Sequence, residues 1–247
     1  MSLKPSKEFK TAIIIILVLT IVFSYNDNNP KFIPQLWLAN FFLIFLLTAL
    51  SFFAILLAYK LAAYYYESQA QVRLAYITRL WFAREAELKR GPLSNKGIKK
   101  IYLGIILAVF LTLISFGRFF LTLIYSFDST TSRIGHRWRV VTQFQEAVIS
   151  SAGLFASLLL LLFFTLLHIR QGVTINTWLI IWNLVPIGTL PGGKIFFGSR
   201  TYYTLILSFF VLTLFLLPYI PIILAIIIAV ILALAIAFFF FKKVEYS

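Results

Sequence analysis

The stretch IILAIIIAVILALAIAFFFF runs from Ile222 to Phe241 without one charged or polar side chain. As a helix it would be about 30 Å long, the thickness of a bilayer's hydrocarbon core. It does not alternate between apolar and polar residues, so it cannot form one strand of a membrane barrel. Comparable runs recur at TAIIIILVLTIVFSY near the start, Leu36–Ala58, Ile101–Tyr125, Ala147–Leu167, Thr174–Leu190 and Tyr202–Leu217. With 61% hydrophobic and 12% charged residues, the chain would expose large apolar patches in water. The expected fold is therefore all-α: a polytopic transmembrane helical bundle of about six to seven membrane segments. One integral membrane domain covers 1–247, with a signal-anchor helix and loop at 1–35, a core at 36–198 and a C-terminal helical hairpin at 199–247.

The charges refine this reading. The formal net charge is +14. The basic residues lie between apolar runs, which points to cytoplasmic loops against anionic lipid and not to nucleic acid. Tyr59–Lys100 carries nine Lys/Arg against three Glu. The excess places this loop and the N-terminus in the cytoplasm of a multi-pass cell-membrane protein. The N-terminal MSLKPSKEFK and its apolar run resemble a signal peptide, but Ser24-Tyr25-Asn26-Asp27 is a poor cleavage site, so an uncleaved anchor is expected. YYYESQAQVRLAYITRLWF, from Tyr64, is read as an amphipathic interfacial helix, broken later by Gly91-Pro92. Ala225, Ala229, Ala233 and Ala237 form a stripe for close helix packing. The bilayer is the first partner this composition implies, and transmembrane segments of other proteins are the second.

Isolated polar residues need accounts of their own. Arg118 falls inside the third run, where an arginine costs about 2.5–3.5 kcal/mol at mid-membrane. It either snorkels or forms an ion pair with Glu146 at the start of the fourth run. His168 and Arg170 suit the C-terminal dipole of that run. The chain has two histidines, His136 and His168, and no cysteine, so thiolate metal sites and disulfides are excluded. Glu146 and His168 would sit about 33 Å apart along one helix, too far to share a metal.

The fifth run ends in Asn183-Leu-Val-Pro186-Ile-Gly-Thr-Leu-Pro191-Gly192-Gly193. Pro186 removes a backbone donor, Asn183 can bond the freed carbonyls, and the glycines admit close backbone approach. Such a break is tolerated in a membrane where it is buried in protein or lines a cavity. The segment resembles the NxxPxxxLDGG motif of the site-2 protease family, the intramembrane zinc metalloproteases. In that family the Asp is a zinc ligand, and here Pro191 takes its place. Ala152-Gly153-Leu-Phe-Ala-Ser157 resembles the family's AGPxxN, with Gly153 and Ser157 kept as a small-residue packing pair. The family's HExxH is absent. Its positional counterpart is Tyr59-Lys60-Leu-Ala-Ala63 at the end of the second run, with Tyr59 and Ala63 in place of the histidines and Lys60 in place of the glutamate.

What the resemblance implies is thus a protease frame without protease chemistry. Catalytic zinc needs three protein ligands and an open position. Tyr59, Ala63 and Pro191 cannot supply them, and Lys60 would bring positive charge to the metal's position. No catalytic residue, metal or other cofactor is expected, and the implied function is binding or scaffolding of transmembrane partners by a pseudoprotease. A small transporter, channel or lipid-handling protein is the alternative. An active intramembrane metalloprotease is a third.

Overall fold

A computed structural model describes residues 5–26, 33–75, 103–131, 133–134, 137–138, 141–187 and 190–245. The basic loop from residue 76 onward with Gly91-Pro92, and also Asp27, His136 and Gly188, lie outside the described residues. The chain is mostly helical. In order it forms α1 (Pro5–Ser24), α2 (Pro34–Tyr65), β1 (Ser68–Leu74), α3 (Leu103–Ile114), β2 (Tyr125–Thr131), β3 (Arg133–Ile134), β4 (Arg137–Trp138), α4 (Gln143–Leu166), α5 (Arg170–Leu184), α6 (Pro191–Gly198), α7 (Arg200–Leu216) and α8 (Ile222–Phe240). Among the described residues, three helices are long and apolar enough to cross a membrane: Pro34–Tyr65, Gln143–Leu166 and one that starts at Ile222 and continues to Val244.

The helix starts follow from local chemistry. Pro34 opens α2, where the missing N–H costs nothing. Thr142 and Gln145 close a reciprocal capping box at the head of α4. α2 lies between α1 and α4, and α4 is packed in turn by α5 and α6. Their buried side chains form two cores. One joins α1, α2, α3 and the β1–β2 ribbon, and the other joins α4 to α7. α8 packs against α7, and all four stripe residues, Ala225, Ala229, Ala233 and Ala237, are buried.

Three expectations need correction. The fold is not purely α. Ser68–Leu74 is a strand paired antiparallel with Tyr125–Thr131, in register from Ser68↔Thr131 to Leu74↔Tyr125. Ala70 and Val72 sit in the core and Gln69 is exposed, although Gln71 between them is buried as well, so the strand pairing prevails over the helical spacing of the aromatics around it. The third run is a helix only as far as Ile114. Phe116 and Gly117 then adopt positive φ (52° and 70°), and the Gly117 N–H closes the turn onto the Thr112 carbonyl at 2.9 Å. Arg118 therefore lies beyond the helix in an exposed turn against Asn26, and not within a span. Finally, Arg118 does not pair with Glu146. The carboxylate has a nearer cation, described below.

Candidate functional site

Of Tyr59, Lys60, Ala63 and Pro191, it is Tyr59 that lines a pocket shared with β2, α4 and α6. Tyr59, near the end of α2, is 2% exposed. One face of its ring lies on Phe127 of β2, with centroids 3.8 Å apart and planes 16° apart. The ring also covers Gly153 of α4. A Cβ there would fall 2.8 Å from Tyr59 Cδ2 and closer still to Cε2. Gly153 is thus the reason that α2 and α4 can approach, and Ser157 returns its hydroxyl to the Gly153 carbonyl at 3.1 Å. Ala63, one turn after Tyr59, is fully buried and its carbonyl accepts from the Ser68 hydroxyl at 3.0 Å.

The break between α5 and α6 leads into the helix that lines the same pocket. Asn183 is buried and its amide donates to the Tyr125 hydroxyl at 3.1 Å. It does not bond the carbonyls released by the break, as the sequence suggested. The Leu184 carbonyl instead accepts from the Tyr203 hydroxyl of α7 at 3.0 Å. Pro186 is exposed in the break, and Pro191, Gly192 and Gly193 are buried. Pro191 sits at the first turn of α6, where its ring pre-sets the helix. A Cβ on Gly192 would lie 2.6 Å from the Val185 carbonyl oxygen and closer to that of Leu184. Glycine lets α6 start directly on the end of α5.

The charge in this region comes from a residue outside the motif positions. Lys60 turns away, as adjacent helix positions must, and pairs with Glu8 of α1 at 3.1 Å. It does not bring charge into the pocket beside Tyr59. Lys194, immediately after the double glycine, does. Its ammonium lies 2.8 Å from Glu146 and 3.7 Å from Asp128, and it donates to the Phe127 carbonyl. Asp128 is held from its other side by Arg73 of β1 at 2.9 Å. Positive and negative groups alternate along Arg73, Asp128, Lys194 and Glu146, so every charge has an opposite neighbour. The Lys194 side chain is only 13% exposed, so water screens its pairs weakly.

Tyr59, Phe127, Asp128, Glu146, Ser150 and Lys194 line one small pocket, with no room at its centre for a water-sized sphere. The Tyr59 hydroxyl is buried there without a hydrogen bond of good geometry among the described residues. Tyr125 completes the aromatic wall, 5.5 Å from Phe127 between ring centroids. Burial pushes its phenol up to about 12, against the smaller opposing effect of the Asn183 amide.

Zinc does not fit this arrangement. Among the described residues, no three His, Cys, Asp or Glu side chains come together. The two carboxylates that do converge hold an ammonium between them. Tyr125, Phe127, Asp128, Lys194 and Tyr203 were not found by motif reading. The one usable signal for them was Lys194, a lone basic residue directly after a glycine pair in an apolar setting. Comparison with protein-family models, curated proteins and solved structures gives no match to this chain.

Proposed function

We propose that this chain is a multi-pass cell-membrane protein built on a site-2-protease-like core, and that it binds transmembrane segments of partner proteins without cutting them. Its N-terminus and basic loop face the cytoplasm in this reading. The observation that supports it best is convergence. The end of α2 and the first turns of α4 and α6 are far apart in sequence, and Tyr59, Glu146, Ser150 and Lys194 from them line one pocket, with the Tyr59 ring also covering Gly153. In the protease family the corresponding motifs surround the metal. Here the volume is taken by the Tyr59–Phe127 stack and the ion pairs of Lys194. The pocket leaves no room for a hydrolytic water.

Partner binding is assigned to the surface beside the break. Pro186 and Ile187 are exposed next to the buried Asn183, and an interrupted helix presents backbone groups that a passing helix can meet. The test is photocrosslinking in native membranes from position 187, with position 223 on the exposed face of α8 as control. Discrete protein adducts of uncleaved mass are expected from 187 and not from 223. Adducts to lipid alone at both positions would refute partner binding, and cleaved adduct fragments would refute the non-catalytic assignment.

A further inference from the structure

A second cavity of about 700 Å³ opens at the other end of the bundle. It lies where α1 ends, α2 and α5 begin and the turn after α3 folds back. Asn40 on its wall and Tyr59 are separated by about 28 Å along α2. Arg118 and Arg170 both line it, and among the described residues no acidic one does. Among the described residues, neither guanidinium group has an ion-pair or hydrogen-bond partner. Two unneutralised guanidinium groups at one cavity repel each other, and an anion relieves that repulsion. α5 opens at this wall with Ile169 as its N-cap and no side-chain cap, so its dipole adds to the positive potential. The remaining wall is divided. Phe23, Ile44, Phe120 and Ile175 are apolar, and Asn26 and Gln171 are polar.

We propose that this cavity binds a phosphate group, supplied by the headgroup of an anionic phospholipid whose acyl chains run along the apolar wall. Planar guanidinium groups match phosphate oxygens with paired hydrogen bonds. An apolar wall beside a cationic rim suits an amphiphile better than a free ion. Seating a lipid here rests on the membrane reading above, but not on the pseudoprotease assignment.

The test uses full-length protein purified in neutral detergent from membranes that retain it after carbonate washing. Release by carbonate would sink the membrane reading separately. Native mass spectrometry and thermal unfolding are then followed with phosphatidylglycerol, phosphatidylcholine or inorganic phosphate. Phosphatidylglycerol is expected to be retained and to raise Tm, and phosphatidylcholine is not. Arg118→Gln or Arg170→Gln should weaken phosphatidylglycerol binding about tenfold, and the pair about a hundredfold. The Arg118→Lys/Arg170→Lys protein should keep most of it, which covers the case that the glutamine pair misfolds. Equal protection by inorganic phosphate alone would support the phosphate chemistry and overturn the lipid source. Undiminished phosphatidylglycerol binding by the glutamine pair, or equal binding of phosphatidylcholine, would overturn the proposal.

Discussion

Gly153→Ala tests the meeting of α2 and α4 most directly. The added methyl would lie 2.8 Å from Tyr59 Cδ2 and 3.2 Å from Ile55 Cγ2. Carbon atoms pack best at about 3.5–4.0 Å, and Tyr59 Cε2 would lie closer still than Cδ2, so the ring must withdraw by about 1 Å or more. It has nowhere to go, because Phe127 is stacked on it with a 3.8 Å centroid separation. Overpacking of this kind costs about 1–3 kcal/mol, and we expect about 2. For a chain of this size that corresponds to a Tm lower by about 4–8 °C. The assay is reversible unfolding in mixed detergent micelles for wild type, Gly153→Ala, Tyr59→Ala and the double variant. Removing the ring should cancel the penalty of the methyl, so the coupling energy should be about 2 kcal/mol in magnitude. Strict additivity, or a Gly153→Ala protein as stable as wild type, would refute the packing that places Tyr59 at the centre of the site.

Lys194→Met should destabilise by about 1–2 kcal/mol, a figure discounted because Glu146 and Asp128 are 36% and 39% exposed; adding Glu146→Gln should recover part of the loss in the same unfolding assay. Glu146→Gln and Arg118→Ala should be additive, because Glu146 bonds Lys194 and Arg118 lies elsewhere. Tyr125 has its pKa raised by burial, so its contribution is fully present below pH 10 and is lost as pH rises toward about 12, a fall of about 2–3 kcal/mol that Tyr125→Phe should abolish in alkaline unfolding curves. Tyr203→Phe should cost about 1 kcal/mol by orphaning the Leu184 carbonyl, measured as a drop in Tm.

The legible parts of this molecule were those written in local pattern. The runs ending at Phe241 and Leu167 matched helices within a few residues, because composition alone decides helices of that kind. The alanine stripe was readable because each of its positions contacts one neighbouring helix. The α5–α6 break was readable from proline and glycine. The β1–β2 ribbon was missed because a strand of seven residues lies beside aromatics spaced as in a helix. The end of α3 was missed because Phe116 takes positive φ, which an apolar run does not announce. The ion pairs were misassigned for a different reason. Which carboxylate meets Lys194 depends on how α4, α6 and β2 converge, and no spacing along the chain encodes that.

The Phe127–Tyr59 stack also limits what protein engineering can recover. Grafting histidines onto positions 59 and 63, a glutamate onto 60 and an aspartate onto 191 would write the letters of a metalloprotease. The imidazole at 59 would still be pressed between Phe127 and Gly153, and the ammonium of Lys194 would still hold the nearby carboxylates. Installing hydrolysis would require strand β2 to be rebuilt and the lysine removed in the same molecule.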